Sequence, residues 1–484
     1  MNRGFSRRGD PKTASMIRIA IIGGGISGLT AAFTLEDHRR AGAVEYTLYE
    51  SSPHLGGVLR TEHIQGCIVE AGPDSFITEK PWATDLCRTL GIGDQLIGSN
   101  DAARKTYILV NGRLIPMPDG LMFMVPTKIL PTALSPLFSW TSKLRMAQEL
   151  LHPPRPSEAD ETVASLVERH YGAEMVDRLA DPLLSGIYGG DAASLSVRAV
   201  LPRFAEMERT HGSLGRAMLA ARKKMPRPAS KPAPPLFTSL KNGMLQLVET
   251  LVSRLNPSVL ITNMPVQSIH PEAGGWTVGV YPEGRSTALK SDHFDAVILA
   301  VPTHAAAKLL ATSSPELSTE LSAIHYSSSI TVGLACDREV RQSLPPGFGF
   351  LVPRSEGKRL LAATFVHNKF PHRAPEDRAL LRCFFAGSNA ENIWQLSDDA
   401  IIAVVRNELQ QILDLRVEPL FARVYKWKSA MAQYGVGHLE RLDRIERLRQ
   451  QLPKLALAGN GYRGIGIPDC IRSAQEAVRQ VLDT

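Results

Sequence analysis

The run Ile17-Arg18-Ile19-Ala20-Ile21-Ile22 is apolar almost throughout, as a strand covered on both faces must be, and Gly23-Gly24-Gly25 ends it abruptly. Small and apolar residues from Ile26 to Leu35 follow at helical spacing, and Tyr46-Thr47-Leu48-Tyr49 reads as a second strand. Strand, glycine turn, helix and strand in this order predict the start of a doubly wound α/β domain. Residues 81–95 read as helix, and Tyr107 to Met117 as a strand pair around the turn Asn111-Gly112. Ala296 to Val301 is a second buried strand, and Leu455 to Ala458 is one more. A helix beginning at Pro468 then places Ile471, Ala474, Val478 and Val481 on one face.

Residues 114–142 break this regularity. They are apolar and interrupted by proline, with Leu121 to Val125 and Pro136 to Trp140 as the most apolar stretches, and helical segments follow to about residue 180. The proline-rich stretch Met225 to Pro235 reads as an extended loop or linker. No internal repeat is present.

Composition narrows the class. A chain of 484 residues fits two or three domains, and 44% hydrophobic with 21% charged residues excludes global disorder. No run of 18 apolar residues exists, so no membrane-spanning helix is expected. The first fifteen residues are basic and lack an apolar core, which excludes a secretory signal; a transit peptide stays open beside a short disordered tail. The net charge of +7 suits anionic lipid or a carboxylated substrate. Lys and Arg are spread along the chain and aromatics are only 6%, which argues against nucleic acid. Cys67, Cys87, Cys336, Cys383 and Cys470 form no CxxC, so free thiols in a reducing compartment, no zinc site and a cytoplasmic location are expected.

Gly23-x-Gly25-x-x-Gly28 sits between a strand and a helix. The first glycine makes the turn, the second admits a pyrophosphate, and the third lets the helix pack on the strand. Glu50 ends the second strand about twenty residues on, where a carboxylate accepts bonds from ribose hydroxyls. The same pattern recurs as Gly459-Asn460-Gly461-Tyr462-Arg463-Gly464, again after a strand and before a helix. No second strand or acidic residue follows it in the remaining sequence, so it is expected to bring the last strand and helix against the first cofactor instead.

Further blocks make the chain resemble the protoporphyrinogen oxidase family in its bacterial branch, which includes enzymes that oxidise coproporphyrinogen III. They are Glu50-Ser51 with Gly56-Gly57-Val58, then Glu70-Ala71-Gly72-Pro73-Asp74-Ser75-Phe76, then Asp181-Pro182 with Gly186-Ile187-Tyr188-Gly189-Gly190-Asp191. Leu240-Lys241-Asn242-Gly243-Met244, Trp427 with Gln433-Tyr434 and Gly437-His438, and the tail from Leu457 to Ile471 complete them. The resemblance runs from about residue 16 to the C-terminus. It implies FAD as cofactor, lined by Gly23, Gly24, Gly25, Ile26, Ser27, Gly28, Glu50, Ser51, Val58, Gly72, Pro73, Asp74 and Ser75. Val266 is implied on the adenine side, and Trp427, Ile465, Gly466 and Ile467 at the flavin end. Phe348, Leu351 and Phe384 are implied as apolar walls for the tetrapyrrole, with the Gly186 backbone near the reacting carbon. Two departures stand out. Met431 occupies a position where the family often has proline, and residues 119–131 lack the arginine that eukaryotic members place near a propionate, leaving Lys128 as the one cation there.

The fold implied is α/β: a FAD-binding, Rossmann-like domain with a mixed-sheet substrate domain and a helical subdomain. The expected division is a tail at 1–15, a FAD domain of 16–88 with 238–305 and 430–484, a helical subdomain at 89–210, and a substrate domain of 211–237 with 306–429. The resemblance implies hydride loss from the substrate to the flavin and reoxidation by molecular oxygen, giving hydrogen peroxide in three rounds. The protein then orients cofactor and substrate and needs no side-chain acid or base; His438 is the one candidate, and a lone histidine is more often structural. The apolar walls favour protoporphyrinogen IX over the four-carboxylate coproporphyrinogen III. Another flavin amine oxidase, a carotenoid desaturase, or a flavin-binding scaffold without turnover are the remaining readings. A homodimer and a peripheral contact with the inner face of a membrane stay open.

Overall fold

The computed structural model describes residues 16–122, 124–155, 159–224, 234–281 and 290–483. The basic tail, Phe123 and most of the proline-rich stretch at 225–235 lie outside them. A five-stranded parallel sheet forms the first layer, in the order Leu260–Ile261, Val44–Tyr49, Ile17–Ile22, Ala296–Leu299, Leu455–Leu457. Its strands are apolar on both sides because both sides are covered. Ile19, Ile21, Leu48 and Ile298 pack under the helices Ile26–Arg40 and Ile467–Leu482. Ala20, Ile22, Val297 and Leu299 pack on the opposite face with Trp276 and Phe294 from a small antiparallel sheet.

A seven-stranded sheet forms the second body, in the order Phe421–Ala432, Tyr326–Cys336, Ala379–Ala386, Ala362–Phe365, Gly349–Leu351, Thr106–Val110, Arg113–Pro116. The expected division placed 89–210 in the helical subdomain, and the hairpin Thr106–Pro116 departs from it by completing this sheet. The physical reason is two-sided burial. Tyr107 and Leu109 pack in the core beneath the helix Asp398–Leu413, while Ile108 packs in the helical core on the other face. The helix Leu214–Lys224, expected with the substrate domain, likewise adds Leu214 to the helical core beside Pro202–His211.

The helical body runs from Ile129 to Lys224 and contains a π-helical stretch, Val176–Ala180, directly before the helix Asp181–Tyr188. Such stretches are found mostly at functional sites. No helix among the described residues is long and apolar enough to cross a membrane. All five cysteines are buried and free.

Candidate functional site

The glycine turn lies at the carboxyl end of the strand Ile17–Ile22, where the chain's strand order reverses from one side to the other, the usual ligand crevice of such sheets. Gly23 has φ +108°, and a side chain there would meet the Ala300 carbonyl oxygen at 2.5 Å. A Cβ on Gly28 would lie 1.8 Å from the Gly23 carbonyl oxygen, so only glycine lets the helix close on the turn. Gly25 is different: it is extended, and a Cβ there would meet nothing within 4 Å. The helix it begins has no side-chain cap and no acidic residue in its first turn, which leaves its positive end open to an anion.

Glu50 accepts from the Gly24 N–H at 2.7 Å and the Ser52 N–H at 2.8 Å, which fixes its carboxylate over the turn with lone pairs to spare for hydroxyls. Ser51 is exposed beside it, and Val58 is 37% exposed, a large apolar side chain left open next to the phosphate turn. Val266 opens its strand two residues after Met264, whose N–H donates to the Glu50 carbonyl at 2.9 Å. Ile26 and Ser27 are buried, Ser27 donating to the Cys470 carbonyl at 3.3 Å, so the last helix is tied to the first. The open space at Gly25, the oriented Glu50 carboxylate and the exposed Val58 fit a dinucleotide with a large apolar ring system.

The segment Gly72 to Ser75 abuts this cleft. A Cβ on Gly72 would lie 1.8 Å from the Val58 carbonyl oxygen, and Ala71 donates to the Arg60 carbonyl at 2.9 Å. Trp427 donates from its ring N–H to the Ala71 carbonyl at 2.9 Å. Pro73 is half-buried, and Ser75 donates to Asp74 at 2.7 Å. Gly466 caps the last helix, Ile467 joins the core beneath the parallel sheet, and Ile465 reaches toward the helical core.

The seven-stranded sheet gives one face to this region. Pairing of Thr331 with Phe384 and Tyr425, of Ser329 with Trp427, and of Ala362 with Phe384 and Leu351 places Phe384, Leu351 and Trp427 on that face. Phe348 precedes its strand between Gly347 and Gly349, both at φ +138°, and is buried outside the paired register. Gly186 lies on the helix Asp181–Tyr188, and a Cβ there would again meet nothing within 4 Å. The glutamine of the Trp427 to His438 block, Gln433, holds the Tyr188 carbonyl at 2.6 Å, and burial pushes the Tyr188 hydroxyl up to about 12. Met431 brings its sulfur against Gly189, where the family often has proline.

Two candidates stand apart. Lys128 is exposed at the start of the helix Ile129–Leu134, its alkyl chain against Gly120, and no contact joins it to Gly186, Leu351 or Phe384. His438 is 3% exposed, stacks on Tyr434 at 4.1 Å and bonds the Tyr462 carbonyl at 2.8 Å, and burial lowers its pKa. It is a structural histidine.

Sequence reasoning missed the charges behind the loop. Lys369, Arg373 and Arg382 converge on Asp74 and Glu70. The signal was Arg382 itself, a lone cation in the apolar strand Ala379–Ala386.

The model of the flavin containing amine oxidoreductase family matches residues 26–482. The chain is 34% identical over 476 residues to coproporphyrinogen III oxidase of Bacillus subtilis strain 168, covering 96% of this chain and 97% of that protein. It is 29% identical over 481 residues to chloroplastic protoporphyrinogen oxidase 1 of Arabidopsis thaliana, covering 95% and 87%. A crystal structure from Exiguobacterium sp. 255-15 superposes with a TM-score of 0.85 at 30% identity, covering 97% of this chain and all of that one. The chain is a flavin-dependent oxidoreductase with FAD as its cofactor, and it belongs to the flavin containing amine oxidoreductase family.

Proposed function

We propose that this enzyme oxidises coproporphyrinogen III to coproporphyrin III, passing electrons through FAD to molecular oxygen. The observation that carries the reading is the near full-length similarity to a bacterial protein named for that reaction. This turns the preference for protoporphyrinogen IX drawn from the apolar walls. Those walls meet the tetrapyrrole ring, which both substrates share, so Leu351 and Phe384 do not discriminate between them. The difference lies at the rim, where extra carboxylates need cations or water.

FAD supplies a hydride acceptor when bound. The chain's part is to bind and orient. Glu50 takes the ribose, the open helix end at Gly25 takes the pyrophosphate, and Phe384 and Leu351 hold the macrocycle opposite Gly186, which has room for a ring to approach its backbone. Purified FAD-loaded protein, assayed by porphyrin fluorescence on both porphyrinogens in air, tests the reading. A higher kcat/KM on coproporphyrinogen III is expected, and a strong preference for protoporphyrinogen IX overturns it.

A peripheral membrane contact is part of the same proposal. Leu130, Leu134, Trp140 and Leu144 on two successive helices are 69%, 74%, 78% and 62% exposed, beside Lys128 and Lys143. Flotation with anionic vesicles that W140D/L144D abolishes is the expected outcome.

A further inference from the structure

The loop between the strand Cys67–Glu70 and the strand Phe76–Ile77 is gripped from behind by the seven-stranded sheet. Trp427 holds the Ala71 carbonyl, Arg382 donates to the Gly72 carbonyl, and Ser239 donates to the Asp74 carbonyl at 2.6 Å. Its side chains are held just as firmly. Lys369 donates to both Asp74 oxygens at 3.0 and 3.1 Å, and Arg382 Nη1 stands 3.8 Å from the same carboxylate. Glu70 accepts from Thr61 at 2.7 Å and the Met244 N–H at 2.8 Å, and pairs with Arg373 at 3.2 Å.

The count of charges is unequal. Three cations face two carboxylates, and every one of the five side chains is at most 15% exposed. A surplus charge taken out of water is costly, so a purely structural cluster would be expected to balance. Arg382 Nε is also buried without a hydrogen-bond partner. The position of Arg382 shows what the surplus could act on. On one side it touches the Gly72 carbonyl, and Gly72 abuts Val58 in the cofactor cleft. On another, its guanidinium carbon is 4.7 Å from the centre of the Phe384 ring, on the face offered to substrate. Arg382 therefore stands where the cofactor loop and the substrate wall meet.

We propose that this buried cluster, through Arg382, supplies a fixed positive charge that favours the reduced cofactor. The balance of the step calls for one. When the substrate C–H bond breaks, the hydride carries its electron pair and one proton to a neutral oxidised ring, which gains one negative charge. The cationic substrate carbon is neutralised as a pyrrole N–H releases its proton. A charge fixed in a dry site stabilises that gain without reorganising. Asp74 is the counterweight: Lys369 and Arg382 outweigh its burial and hold its carboxyl well below the usual range, so it stays ionised and offsets one cation.

The inference rests on the FAD reading of the loop and is independent of which porphyrinogen is used. The test is the midpoint potential of the FAD-loaded protein, titrated anaerobically against a reference dye with no porphyrinogen present. R382M should shift the potential negative, R382K should stay near the parent, and D74N should shift it positive. Shifts of opposite sign are not produced by general loosening of the loop. The proposal is overturned if R382M and D74N move the potential in the same direction or leave it unmoved while FAD stoichiometry is kept. If R382M does not retain FAD, an unmoved or negative shift in D74N overturns it alone. Turnover of the parent on each porphyrinogen, measured separately, reports on the substrate reading.

Discussion

Two turns in this protein carry the same glycine pattern, follow strands of the same parallel sheet and precede helices that pack on each other. At Gly23 to Gly28 the middle glycine faces open space. At Gly459 to Gly464 the corresponding Gly461 is walled in: a Cβ would lie 2.3 Å from the Thr303 methyl and 2.6 Å from the Tyr326 hydroxyl. The polar groups of the second turn are also spoken for. Asn460 donates to the Ala430 carbonyl at 2.9 Å, Tyr434 donates to the Asn460 carbonyl at 2.7 Å, and the Gly464 N–H donates to the Tyr434 hydroxyl at 2.9 Å. Lys80 and Asp469 then close the start of the last helix at 2.6 Å. The first strand is central and the second is the sheet edge. A glycine pattern states only that backbone must come close to something. In one turn that partner is a cofactor, and in the other it is the protein.

The sharpest break of this comparison is Gly25→Val. The backbone at Gly25 is extended and its surroundings are empty, so the apoprotein should keep its melting temperature. FAD affinity should fall by roughly 100-fold or more, ~3 kcal/mol, because the side chain stands where the pyrophosphate belongs. Flavin content equal to the parent's would remove the assignment of this turn.

Gly461→Val should do the reverse. Overpacking against Thr303 and Tyr326 is expected to cost about 1–3 kcal/mol of stability. The molecules that remain folded should still carry FAD in parent stoichiometry. Denaturant unfolding with flavin quantitation separates the two effects, and loss of FAD from stable Gly461→Val protein would make the second turn a ligand site after all.

Glu50→Ala is a smaller change at the first turn. It removes an acceptor for the ribose and for the Gly24 N–H, and about 1–2 kcal/mol of FAD affinity should go with it. Isothermal titration of the apoprotein measures this directly.

The smallest effect lies at the second turn and depends on pH. Burial lowers the pKa of His438 below its ordinary 6.5 even though the Tyr462 carbonyl opposes the shift, so the folded state prefers the neutral ring. Stability is full above the unfolded value of 6.5 and is lost as pH falls through the depressed folded value. Melts at pH 7.5 and 5.5 should show the parent losing more stability than His438→Gln on acidification. Equal losses would mean that His438 does not titrate with folding.

Local pattern alone determined the parallel strands at 17–22, 44–49, 296–299 and 455–457, the first and last helices, and the glycine turn with its acidic partner at Glu50. These are legible because a strand buried on both faces must be apolar at every position, and because a turn of this kind admits no residue but glycine at Gly23 and Gly28. The resemblance carried by the blocks around 70–76, 181–191 and 457–471 added the flavin and the tetrapyrrole. Tertiary structure decided the rest. Whether Gly25 or Gly461 faces a cofactor depends on Thr303 and Tyr326, which lie more than a hundred residues from the second turn. The hairpin at 106–116 joins the seven-stranded sheet because Ile108 and Leu109 need cover from two different cores, a demand that its own alternation does not reveal. The cluster around Asp74 gathers Glu70, Lys369, Arg373 and Arg382 from segments about three hundred residues apart. Charge pairing acts through space, and no spacing along the chain records it.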